Sequence, residues 1–191
     1  MAMILRTLLL AALFAAIPSV GADDSKMPAT TSVDGRELVL NGKALRSVWG
    51  FKVYEVGLFI GERNEDAADI MGNDRAAKRV QMNMLRAMDK ARFVATVREN
   101  IDGNFTAEEK EKFASELEAF VSYLQNGGDI APGQTITIDY HPGKGTVLGL
   151  DGRHIGTIAG DDFYHHILRL WIGKPLQESI KTGLLGGAGG D

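Results

Sequence analysis

The chain predicts an α+β fold, an antiparallel sheet with helices against one face. Three observations carry that expectation. Runs of β-branched, aromatic and aliphatic residues separated by turn signals occupy residues 37–60 and 135–158. Between them lies a stretch whose apolar residues recur every three or four positions, as in paired amphipathic helices. A last helical region follows the second set of strands, and no repeat or linker divides the order, so a single domain is expected.

Residues 1–22 read as a secretory signal peptide. Arg6 is their only charge, residues 7–17 are apolar or small, and Val20-Gly21-Ala22 offers a cleavage site after Ala22. The apolar run is too short to span a bilayer, so export to a bacterial periplasm without stable membrane insertion is expected. Residues 23–31 are polar and include Pro28, as in a disordered lead-in; the domain is expected over 32–185, and the glycine-rich residues 186–191 form a flexible tail.

Within the domain, Glu37-Leu38-Val39-Leu40, then Asn41-Gly42, then Ala44-Leu45 predict a strand, a type I′ turn and a return strand. Strand chemistry continues to Ile60, and Gly50 beside Trp49 suggests a second reversal. Residues 66–71 suit a short helix closed by Gly72. Residues 79–88 return to strand, with Val80, Met82 and Met84 on one face. Phe93, Val97 and Ile101 have helical spacing from Asp89 onward. Thr106 and Glu109 form a capping box opening a helix that carries Phe113, Leu117, Phe120, Val121 and Leu124 and ends at Gly127-Gly128. A strand over 135–140 and a hairpin turning at Asp151-Gly152 precede helices from Asp161 to Leu185, interrupted at Gly173 and Pro175.

Composition excludes several functions. The 191 residues carry 21 Lys and Arg against 25 Asp and Glu, a formal charge of −4, and losing Arg6 with the leader makes the balance more acidic. Such a chain has no electrostatic footprint for nucleic acid. Without cysteine an exported domain relies on its core and hydrogen bonds, and thiol catalysis is excluded. Gly143-Lys144-Gly145-Thr146 lacks the earlier glycine of a phosphate loop and reads as a turn. His165 and His166 are adjacent on a helix and point about 100° apart, so they suit solvated or capping roles and not one metal. No serine sits in a nucleophile elbow, and no metal or cofactor is called for. Asn104-Phe105-Thr106 matches a glycosylation acceptor, which carries little weight in a bacterial export protein.

The remaining candidate is Arg46, a cation embedded in an apolar strand. In a straight strand Arg46 and Tyr54 lie about 26 Å apart at roughly 3.3 Å per residue. A reversal at Gly50 with a three-residue loop instead sets them opposite each other on one face, where a guanidinium beside a phenol suits a carboxylate or a polarised carbonyl oxygen. The alternative is an edge arginine snorkelling to water beside an ordinary core tyrosine.

The chain resembles the chalcone isomerase-like proteins, in particular their exported bacterial branch. The resemblance rests on Leu45-Arg46, on Phe51-Lys52-Val53-Tyr54-Glu55-Val56-Gly57-Leu58-Phe59, on Val97-Arg98-Glu99-Asn100, and on Gly160-Asp161-Asp162-Phe163 with Leu170-Trp171-Ile172-Gly173. It implies an open-faced β-sandwich, an antiparallel sheet covered by helices with a ligand cleft between. In the plant isomerases an arginine, a threonine, a tyrosine and an asparagine line that cleft. Arg46 matches the arginine, Tyr54 takes the threonine's place, Asn100 matches the asparagine and Phe93 falls where the tyrosine stands. Phenylalanine cannot donate a hydrogen bond, and losing one oxyanion donor costs about 2.7 to 4 kcal/mol of transition-state stabilisation. Fatty-acid-binding members of the family use an arginine and a tyrosine to hold a carboxylate. The resemblance therefore implies a non-catalytic binder of a small apolar carboxylate such as a fatty acid, with Arg46, Tyr54, Asn100, Phe93, Met82 and Met84 as ligand-binding residues. The last three are equally compatible with ordinary core packing. Alternatives are an intramolecular lyase acting on a flavonoid-like enone through Arg46, Tyr54 and Asn100, and a scaffold with a vestigial cleft that binds a protein partner.

Overall fold

The structure, a computed structural model, describes residues 27–73 and 75–187. The expected signal peptide, its cleavage site and most of the expected tail lie outside the described residues. The chain forms β1 (Thr30–Val33), β2 (Arg36–Val48), β3 (Phe51–Ile60), α1 (Ala67–Gly72), β4 (Lys78–Met84), α2 (Lys90–Asn104), α3 (Ala107–Lys112) and α4 (Ala114–Asn126). It continues with β5 (Thr135–His141), β6 (Gly145–Leu150), β7 (Arg153–Ala159), α5 (Asp162–Ile167), α6 (Arg169–Ile172) and α7 (Glu178–Leu184).

The strands make one seven-stranded antiparallel sheet in chain order, so every pairing follows from a local connection. Strand alternation then separates two chemistries. Val56, Leu58, Val80, Met82, Ile136, Ile138 and Leu148 share one face in register and form the main core with residues from the helices, including Phe120, Leu170 and Ile180. The opposite face carries Arg79, which grips Asp139 through two bonds of 2.6 Å and donates to Thr31, beside a bond from Gln81 to Asn83. A small apolar cluster of Met27, Val33, Leu38, Phe59 and Ala77 covers the β1 end. Met27 is buried and β1 starts at Thr30, so the ordered fold begins ahead of Ser32 and includes part of the expected lead-in.

Asn41-Gly42 is not a turn. The first reversal is Asp34-Gly35, with φ of 53° and 74°, while β2 runs through Asn41 with a bulge between Leu40 and Gly42. Asn41 bonds Asn64 in both directions and donates to the Leu184 carbonyl, and a Cβ on Gly42 would meet the Gly183 oxygen at 2.1 Å. The sequence that resembles a turn instead seats the end of α7 on the sheet.

The expected helix starts hold: Asp66 and Asp89 accept from the first amides of α1 and α2, and the Thr106–Glu109 capping box is complete. The single helix expected after that box is two, broken at Phe113, whose buried ring packs near Phe163 and His166. His165 and His166 are half-buried rather than solvated. His165 meets the Tyr140 ring edge-on, and His166 lies against Phe113 with a bond to the Asp162 carbonyl.

Candidate functional site

Arg46 and Tyr54 are register partners, and Tyr54 in turn pairs with Met84, so the three side chains line up on the helix-covered face. The hairpin that joins them turns through two residues, Trp49 and Gly50, and not through the three expected. A one-residue slip between the Arg46 and Ser47 pairings makes up the difference and leaves Val53 as the extra residue. Without this bulge Arg46 would oppose Val53, and Tyr54 would face the other side of the sheet.

An apolar cavity of about 50 Å³ lies beneath α2. Tyr54 and Met82 bound it from the sheet, Phe93 and Asn100 from α2, Trp171 from α6, and Leu176 from the segment before α7. Four of the six expected residues therefore share one wall. Met84 does not: it is 1% exposed and packed into the core beside Tyr54, where its role is to fill space. Arg46 lies on the same face but outside the wall, because its guanidinium donates to Gln177 Oε1 at 3.0 Å and to the Ser47 carbonyl at 3.1 Å.

Gln177 is the residue that sequence reasoning missed. Its Oε1 also accepts from the Ser47 amide, and its Nε2 donates to the Leu45 carbonyl and to Ser179 Oγ. One side chain thus clasps the end of β2 and fixes Leu176 over the cavity. No local signal marks a partner 131 residues from Arg46.

The polar groups on the wall are mostly committed. Asn100 donates to the Leu170 carbonyl and accepts from Asn104, and Thr96 donates to the Arg92 carbonyl. The Tyr54 hydroxyl has no hydrogen-bond partner among the described residues. Burial pushes its pKa up to about 12 against the opposing charge of Arg46, so at neutral pH it is a protonated phenol able to donate. The arrangement offers an apolar chamber with one free donor, next to a cation held by an exchangeable amide oxygen.

The family described as chalcone isomerase-like matches this chain over residues 20–186. The chain belongs to the chalcone isomerase-like family. No curated protein matches it in sequence. Among solved structures, the chalcone isomerase-like chain is similar to the crystal structure of a fatty-acid binding protein from Arabidopsis thaliana, with a TM-score of 0.60 and 19% identity over 83% of this chain and 90% of that one. At that identity the likeness bears on the fold alone, and it agrees with the α+β sheet-and-helix layering described above.

Proposed function

We propose that this chalcone isomerase-like protein is an exported, periplasmic binder of a small apolar carboxylate, a fatty acid being the best fit, and that it does not convert its ligand. The observation that carries the reading is the Arg46–Tyr54 pair at the edge of an apolar chamber whose other polar groups are already bonded. The similar Arabidopsis protein, a fatty-acid binding protein, supports the ligand class.

Gln177 Oε1 occupies the position on Arg46 that a carboxylate oxygen would take. A carboxylate replaces it with a charge-assisted bond and gains the Tyr54 hydroxyl as a second donor. Displacing Gln177 also frees Leu176 from the wall. The chamber needs that opening, because about 50 Å³ is well below the roughly 300 Å³ at which ligand pockets begin.

Catalysis by ring closure finds less support. Phe93 is buried on the wall and cannot donate, while the Asn100 amide is spent on Leu170. Two experiments test the proposal. Native mass spectrometry of protein recovered from the periplasmic fraction should show an N-terminus at Asp23 and a co-purifying fatty acid. A chalcone absorbance assay should show no stereoselective cyclisation above the spontaneous rate, and clear cyclisation would favour the isomerase reading.

A further inference from the structure

The exposed large apolar side chains of the described residues gather at one end of the sheet. Trp49 is 95% exposed at the tip of the β2–β3 hairpin, Phe51 is 57% exposed beside it, and Leu85 and Leu176 are 42% and 37% exposed. They belong to one surface. The Leu85 amide bonds the Val53 carbonyl, Arg86 stacks 4.6 Å from the centre of the Phe51 ring, and Gln177 ties the segment bearing Leu176 to Leu45, Arg46 and Ser47. Leu176 also lines the cavity, so this end of the sheet lies beside the site.

The charge here opposes that of the whole chain. Residues 46–54, 85–88 and 174–177 contain Arg46, Lys52, Arg86 and Lys174 and no acidic residue, in a protein of formal charge −4. Lys52, Arg86 and Lys174 are exposed. The acidic residues that follow these segments are Glu55, Asp89 and Glu178: Glu55 is buried and pairs with Lys43 at 4.0 Å, while Asp89 and Glu178 sit at the starts of α2 and α7, Asp89 engaged in capping. Trp49 is also conformationally expensive. Its φ of 50° lies in the left-handed region, at a turn position where asparagine or aspartate fits and a bulky ring is rare. A strained, almost fully exposed tryptophan contributes nothing to the core and requires another account.

We infer that this end of the molecule docks on a bilayer rich in anionic phospholipid, with Trp49 and Phe51 entering the headgroup region and Lys52, Arg86 and Lys174 against the phosphates. Tryptophan has the amphipathic ring that concentrates at membrane interfaces, and the apolar residues project from a narrow hairpin ringed by cations, which suits insertion better than a flat protein partner. The docking stands on the exposed surface alone. It would bring the Leu176 side of the cavity towards the membrane, which shortens the path of an apolar ligand through water.

Trp49 reports directly on this contact, because Trp171, the chain's other tryptophan, is buried and serves as an internal reference. Purified protein of mass-verified N-terminus is titrated with vesicles of phosphatidylcholine alone or mixed with phosphatidylglycerol, with brominated lipids as depth-dependent quenchers. With phosphatidylglycerol, emission should shift to the blue and be quenched at shallow depth. W49A/F51A should weaken vesicle binding by about tenfold or more. R86E or added salt should weaken it by roughly fivefold. Fatty-acid affinity in vesicle-free solution should be unchanged in W49A/F51A, which separates this inference from the ligand proposal. The inference is overturned if the unmodified protein ignores anionic vesicles or if W49A/F51A binds them equally well. It is also overturned if sedimentation shows a dimer that W49A dissolves, since a second copy then covers the patch.

Discussion

Arg46 is half-buried and tethered, and its tether is the most informative side chain near the site. Gln177 makes four hydrogen bonds that hold the end of β2 and the Leu176 segment together. Gln177→Ala should therefore have two opposite effects. Thermal unfolding should show a loss of about 1 to 3 kcal/mol, as expected when buried hydrogen-bonding groups lose a partner. Fatty-acid affinity should rise, because the oxygen competing for Arg46 is gone. Equal weakening of stability and binding would make Gln177 a part of the binding site and not a competitor. Tyr54 gives a pH signature. Its folded pKa of about 12 exceeds the ordinary value of 10.0, so the stability linked to its protonation is fully present below pH 10 and is lost as pH rises through 12. Unfolding measured across that window should be less steep in Tyr54→Phe than in the unmodified protein.

At the scale of elements, the β2–β3 hairpin decides whether a site exists. The two-residue length of its turn and the backbone bulge at Val53 together set Arg46 opposite Tyr54, whatever side chain the exposed turn carries. Trp49→Asn places a residue suited to the left-handed conformation at the strained position and should raise stability by about 1 kcal/mol, measured by denaturant unfolding. No gain would mean that the ring makes a compensating contact in solution. The same hairpin shows what was legible in the sequence. Equal parity of Arg46 and Tyr54 about a glycine led to the right pairing through a loop one residue too long; in the structure the loop is shorter and the bulge at Val53, which no local signal announces, restores the pairing. Asn41-Gly42 misled for a physical reason. The residues that favour a type I′ turn also favour a bulge with a close backbone approach, and only the distant α7 backbone decides between the two. The break at Phe113 was likewise hidden, because the helical period runs through it and the ring's packing near Phe163 is a tertiary effect.

For the whole molecule, a sheet paired entirely in chain order explains why the fold class could be read from residues alone. Each strand finds its partner through a local connection, and the alternation of Val80, Met82 and Met84 already names the face that the helices cover. The wall of the cavity was only partly legible. Tyr54, Met82, Phe93 and Asn100 lie on elements whose faces are periodic, whereas Trp171, Leu176 and Gln177 reach the site through packing between distant parts of the chain.

The central claim is that Arg46 anchors a carboxylate beside this cavity. The direct measurement is calorimetric titration of a fatty acid, and of the alcohol of equal chain length, into the unmodified protein, Arg46→Ala and Tyr54→Phe. A charge-assisted bond is worth about 1.5 to 3 kcal/mol, so Arg46→Ala should weaken acid binding by roughly ten- to a hundredfold. Tyr54→Phe should cost about tenfold or less, and the alcohol should bind the unmodified protein far more weakly than the acid. An alcohol that binds as tightly as the acid, or an Arg46→Ala variant with unchanged acid affinity, would contradict the claim.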